Sequence, residues 1–192
     1  VALLLELFGD EWLPIISMHT RWDLPENRRF AAEEFGRCAL PWLPSFLSKR
    51  VVGATANKMA SYLPVLGVSD ETRPQIDAWA EELLDGLDAH FAQHPYLLGG
   101  RPCMADFSIY GPLYAHVWRD PASRPLVESR PQLFQWIQRM RDPEGAPGEF
   151  LAEDLIPETL LPILRRMFRE QLPVLHKTVE RLADWIDAHP ES

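Results

Sequence analysis

The chain has 192 residues, of which 46% are apolar and 24% are charged, and its formal net charge is −9. This length and composition suit one globular domain of ordinary size and exclude disorder for most of the chain. The acidic excess argues against a surface built to neutralise phosphates, so we expect no nucleic-acid partner.

Seven of the first eight residues are apolar, the exception being Glu6, and they already follow a helical pattern, without an initiator methionine. They have neither the basic flank nor the small-residue cleavage site of a signal peptide. They also fall well short of the roughly 20 apolar residues that cross a bilayer, so we expect no membrane partner. We interpret this segment as the first helix of a domain with an upstream neighbour.

Two helices are predicted next, Asp10–Arg21 and Pro25–Lys49. Pro41 and Pro44 should bend or interrupt the second, because proline removes a backbone donor and clashes with the preceding turn. The following residues are ambiguous, with a short helix over Ala54–Leu63 as one interpretation.

The clearest helical pattern begins near residue 70. Ser69 or Asp70 can cap its start, Pro74 fits an early turn, and His94 with Pro95 ends it. Its apolar residues recur at helical spacing along one stripe: Ile76, Trp79, Ala80, Leu83, Leu84, Leu87 and Phe91.

A turn at residues 97–102 precedes a predicted helix over Met104–Trp118, which has almost no charged residue after Asp106. A helix that is apolar all round is buried on all sides, so we expect this one to be central in a bundle. Pro112 lies inside it and predicts a kink, which could turn Tyr110 or Tyr114 toward a ligand cavity. The alternative is that the Ser108 carbonyl, left without its donor, is simply satisfied by a neighbouring group or water.

A further helix is predicted over Gln132–Arg141, followed by an exposed loop at 142–148 that is rich in proline and glycine. Two more helices are predicted in the tail, separated by Pro173. Their apolar stripes are Leu160, Ile163, Leu164, Met167 and Phe168, then Leu175, Val179, Leu182, Trp185 and Ile186. No segment has the alternation of a strand, so the predicted fold class is all-α.

The most informative segment is YLLGGRPCMADFSIYGPLYAH at residues 96–116. Asp106 follows the expected helix cap, Cys103, by three residues, the position from which a side chain reaches back to the N–H of the cap. A negative charge there also complements the helix dipole. We therefore predict a structural capping role for Cys103 and Asp106 rather than an acid–base role.

A Leu-Gly-Gly turn, a cap residue and Ala-Asp opening a buried helix resemble the capping box of the glutathione S-transferase C-terminal domain. Residues 113–123 and 131–140 continue that resemblance, although the family usually has Ser or Thr where this chain has Cys103. The resemblance implies a helical bundle over residues 1–150, with residues 151–192 as a helical extension packed on the same domain.

The resemblance also implies that the function is divided between two domains. In this family an N-terminal thioredoxin-like domain binds glutathione and carries the residue that activates its thiol, and no such motif is visible here. Glutathione is therefore implied as a co-substrate of the parent protein, with no catalytic residue in this chain. The helical half would form a wall of the pocket for a small apolar electrophile and part of a homodimer interface.

The resemblance places the first helices beside the cleft between the two domains. The candidate pocket residues are Met18, His19, Arg21, Trp22 and Phe30, with Tyr114 and Trp118 as second choices. Aromatic and polar groups together are the usual makeup of a small-molecule site. The alternative is that Trp22 anchors the core and Arg21 forms a surface ion pair.

His90 and His94 have the i, i+4 spacing of a metal pair but no obvious third ligand, so we expect no metal. Cys38 and Cys103 match neither a zinc nor a disulfide spacing, which favours free thiols and a cytoplasmic location.

Two other functions stay open. The chain could be a non-catalytic binding or assembly module of the same fold, which would keep Asp106 without any glutathione affinity. It could also be an unrelated helical binder of apolar ligands.

Overall fold

The computed structural model describes residues 1–39, 41–42, 45–141 and 148–190, and the side chains of all these except 45–51 and 154. These residues are helical apart from turns and loops, and the β-bridges among them are isolated ones, Tyr96 with Gly99 and Gly99 with Phe150. The predicted all-α fold class is confirmed.

The α-helices are α1 (Ala2–Glu11), α2 (Pro14–Met18), α3 (Pro25–Ala39), α4 (Ser45–Ala60), α5 (Arg73–Phe91), α6 (Met104–Pro112), α7 (Arg124–Glu128), α8 (Pro131–Arg141), α9 (Leu161–Arg166) and α10 (Leu172–Ala188). Wider π-helical turns extend α2, α6 and α9, at His19–Asp23, Leu113–Trp118 and Met167–Gln171 respectively. Short 3₁₀ turns lie at Ala152–Asp154 and Glu158–Leu160.

The first predicted helix boundaries need correction. The expected helix Asp10–Arg21 is divided, because α1 ends at Glu11 and Pro14 opens α2, where its missing N–H is tolerated. The expected helix Pro25–Lys49 is likewise two helices, α3 and α4. The second of these begins at Ser45, earlier than the short helix considered from Ala54.

The long helix α5 begins at Arg73 rather than at Ser69. The Ser69 and Thr72 side chains close the turn before it, since the Ser69 N–H donates to Thr72 Oγ1 (2.9 Å) and the Thr72 N–H donates to Ser69 Oγ (3.3 Å). The whole predicted apolar stripe of α5 is buried.

Helix α6 packs against α1 and α8. Ile109, Leu113 and Val117 on α6 and its π-helical turn are fully buried. The prediction that this helix is covered on all sides is wrong at its first turns, where Met104 is 60% and Phe107 55% exposed, because its neighbours cover only part of its circumference.

Proline accounts for the change in winding after α6. Pro112 has no N–H to donate, and the helix continues beyond it with wider π-helical winding, in which the Arg119 N–H donates to Tyr114 O, five residues back, at 3.1 Å. Where a kink was predicted at Pro112, the structure has a widened helical turn.

The tail packs on the bundle as far as Gln171. Leu160, Met167 and Gln171 are fully buried, and the Gln171 amide donates to Leu7 O at 3.1 Å. Helix α10, by contrast, has no buried side chain. Pro173 lies in its first turn and does not separate two helices, which corrects the prediction. The division at residue 150 stays a prediction, and residues 142–147 of the expected loop lie outside the described residues.

Candidate functional site

Asp106 is fully buried at the start of α6 and gathers donors from three parts of the chain. Its carboxylate accepts hydrogen bonds from the backbone N–H groups of Cys103 (2.9 Å) and Leu97 (3.0 Å) and from Trp136 Nε1 (3.1 Å). The Cys103 thiol adds a fourth, from Sγ at 3.3 Å. The carboxylate thus fixes the turn before α6, the start of α6 and the side of α8 at one point.

Burial governs the electrostatics of this cap. It raises the pKa of Asp106 above the ordinary value, although the hydrogen bonds from Cys103, Leu97 and Trp136 act in the opposite direction. Burial, together with the nearby Asp106 carboxylate, raises the pKa of the Cys103 thiol to about 11. A thiol with such a pKa is a poor nucleophile at neutral pH, which suits a structural role.

Arg21 makes a buried ion pair rather than a surface one. Its guanidinium donates to both carboxylate oxygens of Asp120, from Nε at 2.8 Å and Nη2 at 2.7 Å, and Nη2 also contacts Ala115 O. The Asp120 side chain is fully buried and that of Arg21 is 12% exposed. This bidentate pair joins the π-helical turn that extends α2 to the residues just after the π-helical turn that extends α6.

His19 and Trp22 are also mostly enclosed. His19 Nε2 lies 2.9 Å from Asp77 Oδ1 and Nδ1 lies 3.1 Å from Asp23 Oδ2, with only 4% of the side chain exposed. Trp22 is 3% exposed in the core, and its ring stacks on Phe35 at 6.3 Å between centroids. The structure therefore favours the interpretation of Trp22 as a core anchor.

A cavity of about 230 Å³ lies between α3 and Arg119, the residue that follows the π-helical turn after α6. Two predicted pocket residues, Arg21 and Phe30, line it. The rest of its lining is Ala31, Glu34, Phe35, Cys38 and Arg119. Arg119 Nη2 donates to Glu34 Oε2 at 2.8 Å across one side of it. Met18, His19 and Trp22 do not line this cavity.

Tyr114 and Trp118 belong to a separate aromatic row. Tyr114 stacks on Tyr110 at 5.0 Å between ring centroids, and Trp118 contacts Phe134 of α8 at 5.8 Å. The Arg141 guanidinium lies 5.8 Å from the Tyr114 ring centroid and 5.5 Å from that of Trp118. The structure thus does not bring these two residues together with Arg21 and Phe30.

Both ring nitrogens of His90 lie within hydrogen-bonding distance of other groups of the protein. Nδ1 lies 2.7 Å from Thr159 Oγ1 and Nε2 lies 3.3 Å from Tyr96 O. Burial, helped by the nearby His94, lowers the pKa of His90 to about 4, so the ring is neutral at pH 7. Among the residues that the structure describes, no group of three or more His, Cys, Asp or Glu side chains could hold a metal ion.

Sequence reasoning missed the polar interior around α3. Asn27 is fully buried; its amide nitrogen donates to Thr20 O (2.9 Å) and Ser123 Oγ (3.0 Å), and its oxygen accepts from the Ala122 N–H (2.7 Å). Asp120 was missed as well. In the sequence, both residues are only polar residues near predicted helix ends. Such residues are too common for Asn27 and Asp120 to be singled out from the sequence.

These observations define a class of protein first: an all-helical domain in which one helix, α6, begins at a buried capping carboxylate. The comparison with family models adds that residues 70–139 match the one described as "Glutathione S-transferase, C-terminal domain". That segment runs from the turn before α5 through most of α8, and over it the predicted resemblance is confirmed. Neither the curated proteins nor the solved structures provide a match to this chain.

The helices were also compared with what a bilayer requires. Within the described ranges, no helix is both long and apolar enough to cross a membrane.

Proposed function

We propose that this chain is the substrate-side and dimerising half of a glutathione transferase family protein whose parent conjugates, or otherwise processes, a small apolar electrophile with glutathione. The observation that carries the proposal is the family match over residues 70–139, together with the buried Asp106 cap at the start of α6. The proposal assigns glutathione binding and thiol activation to a thioredoxin-like domain and no catalytic residue to this chain.

The start of the α1–α6 pair supports docking of that second domain. Leu3 is 75%, Met104 60% and Phe107 55% exposed. Exposed apolar patches of this kind mark interaction surfaces. An apolar cavity of about 250 Å³ opens beside the patch, lined by Val1, Ala2, Leu98, Cys103, Phe150, Leu151 and Leu155.

The cavity lined by Arg21 and Phe30 would receive the electrophile. Phe30 and Phe35 supply apolar ring surface, which would exclude water from a bound aromatic or aliphatic group. The Arg21 charge is compensated by the buried Asp120, so Arg21 shapes the wall. Arg119 is paired with Glu34 but is 45% exposed, so its remaining N–H groups would orient a polar substituent. The work of this half is thus desolvation and orientation of the co-substrate.

Cys38 provides a test of the pocket, because this exposed thiol lines the cavity. An unreactive naphthalene compound should slow alkylation of Cys38 by iodoacetamide. Phe30→Ala should weaken that protection by about three- to tenfold, as expected for loss of one buried ring contact. Phe168→Ala is the matched control, since Phe168 is 57% exposed in the tail.

Cys103 serves as an internal reference, because its raised pKa keeps it slow to alkylate at neutral pH. Equal protection in wild type and Phe30→Ala would contradict the assignment of this cavity.

Glutathione binding by the full-length parent protein distinguishes a transferase from a non-catalytic module. Retention on immobilised glutathione, with elution by free glutathione, is expected for the transferase. Lack of retention would favour a non-catalytic binding or assembly module of the same fold. The proposal includes a cytoplasmic location, which the two free thiols support.

A further inference from the structure

A further cavity, of about 200 Å³, lies where α2, α5 and the tail meet. Its lining has no residue in common with either cavity described above. Ile15 of α2, together with Ile76 and Trp79 of α5, supplies apolar walls. Gly67 and Gln75, which are both exposed, also line the cavity, so solvent reaches it.

Two tryptophan rings give this cavity its shape. The ring centroids of Trp12 and Trp79 lie 6.4 Å apart, and the ring planes are inclined at 51°. Trp79 is 7% exposed, and Trp12 is partly buried against the core. Indole faces and edges of this kind pack well against another flat ring. Since a cavity of roughly 150 Å³ holds benzene, this one has room for a somewhat larger ring system.

Trp12 also brings a hydrogen-bond donor that has no acceptor. Its Nε1 is buried and has no hydrogen-bond partner among the residues that the structure describes. A buried indole N–H usually finds an acceptor, because leaving it unpaired is unfavourable. A ligand that presents an oxygen to Nε1 would supply that acceptor.

The charged side chains of the lining compensate one another. Arg166 Nη1 lies 3.2 Å from Glu170 Oε2, and Arg166 Nη2 lies 2.8 Å from Glu82 Oε2. The guanidinium also lies over the Trp79 ring, 5.4 Å from its centroid. A charged ligand would lose its hydration here without meeting an uncompensated charge among these lining residues. The electrostatics therefore favour a neutral ligand.

We propose that this cavity binds a neutral aromatic carbonyl compound of one or two fused rings. The ring system packs against Trp79 and the apolar walls, and the carbonyl oxygen accepts a hydrogen bond from Trp12 Nε1. This site goes beyond the proposed function, because it uses neither glutathione nor the cavity lined by Arg21 and Phe30. Shape, charge and the unpaired donor are separate observations, and they select the same class of ligand.

The first test follows the tryptophan side chains directly. The probes are indanone and indane, which share one fused-ring skeleton and differ in the carbonyl oxygen. Each is titrated into the isotope-labelled whole chain, and the indole N–H signals are recorded by NMR. The chain has seven tryptophans, and Trp12→Phe identifies the signal of Trp12. Indanone should move that signal downfield and indane should not, while the signal of Trp185, which is 50% exposed on α10, should stay in place.

Trp12→Phe then tests the hydrogen bond itself. The variant keeps an aromatic ring and removes a donor that has no partner among the described residues, so the fold should be retained. The ratio of the indane to the indanone dissociation constant should fall about three- to tenfold, because only indanone loses a hydrogen bond. The Gly67 amide and the Trp79 indole, both in the lining, report binding in this variant.

Two neighbouring residues locate the site. Leu66 lines the cavity, whereas Val65 is 81% exposed and is not part of the lining. Leu66→Ala should raise the dissociation constants of both probes about three- to tenfold, because apolar contact area is lost. Val65→Ala is the matched control and should change them by less than about twofold. Circular dichroism checks that both variants keep their helices.

Each contrary result has a definite meaning. A Trp12 indole signal that stays in place up to the solubility limit of indanone would overturn the site, and so would equal effects of Leu66→Ala and Val65→Ala. Equal movement of the Trp12 and Trp185 signals would show adsorption to exposed rings and overturn it as well. An unchanged ratio of dissociation constants in Trp12→Phe would overturn the contact between the carbonyl oxygen and Nε1.

Discussion

Trp136 donates its indole N–H to Asp106 Oδ1 across 3.1 Å, so the carboxylate that begins α6 also holds α8 against it. Both residues are fully buried. The Trp136 ring is in turn stacked on Phe91 of α5, with ring centroids 4.6 Å apart. One side chain therefore links the three helices that form most of the family-matched segment.

Asp106→Ala should destabilise the fold by more than about 2 kcal/mol, because it leaves the N–H groups of Leu97, Cys103 and Trp136 buried without an acceptor. Urea unfolding measures this free energy. Asp187→Ala, an exposed aspartate of α10, is the control and should change stability by less than about 0.5 kcal/mol. An unchanged free energy of unfolding in Asp106→Ala would refute the structural role of the carboxylate.

Two helical glycines should respond in opposite directions to alanine. A Cβ on Gly9 would lie 2.3 Å from Ser108 Oγ and 2.9 Å from the Ser108 carbonyl carbon, where α1 crosses α6. Gly9→Ala should therefore destabilise by about 1–3 kcal/mol despite its better helix propensity. A Cβ on Gly86 of α5 meets nothing within 4 Å, so Gly86→Ala should stabilise by up to about 1 kcal/mol.

Thermal unfolding of the two glycine variants tests the pair together. A rise in melting temperature for Gly9→Ala would mean that α1 and α6 are not in close contact at this point.

The Arg21–Asp120 pair should show strong coupling. Asp120→Leu alone leaves a guanidinium that is 12% exposed without its partner and should cost about 3–5 kcal/mol. Arg21→Met with Asp120→Leu removes both charges and should cost clearly less than the sum of the single changes. A double-mutant cycle in urea measures the coupling, and additive effects would show that the pair is not energetically linked.

The sequence predicted the elements whose signal is local. Helix α5 follows from its apolar stripe, and the Asp106 cap follows from a three-residue spacing; both depend on neighbouring residues only. The Arg21–Asp120 pair joins residues 99 positions apart, and nothing local distinguishes either of them from a surface charge. The separation of Tyr114 and Trp118 from Phe30 could not be predicted either, because it depends on the direction in which each side chain leaves its own helical turn.

The same limit applies to coverage. An apolar helical sequence predicts burial on all sides. Whether Met104 and Phe107 are actually covered depends on where the neighbouring helices end. Sequence periodicity describes a helix face but not what lies against it.

His90 should make stability fall between about pH 6.5 and pH 4. Its pKa is about 4 in the folded chain because of burial, against an ordinary value of 6.5, so over this interval the unfolded chain binds more protons than the folded one. The stability that neutral His90 contributes is present in full above pH 6.5 and is lost as the pH falls. A shift of this size corresponds to about 3 kcal/mol as an upper estimate.

His90→Gln removes this titration and can keep a contact to Thr159. The stability advantage of the wild type over His90→Gln should therefore shrink by about 2 kcal/mol between pH 7 and pH 4.5, measured by urea unfolding at each pH. His116, whose pKa burial and the nearby Arg21 also lower to about 4, titrates in both proteins and cancels in the comparison. His176→Gln is the control, since that side chain is 79% exposed. A wild-type advantage that stays constant with pH would show that His90 is not held neutral by the fold.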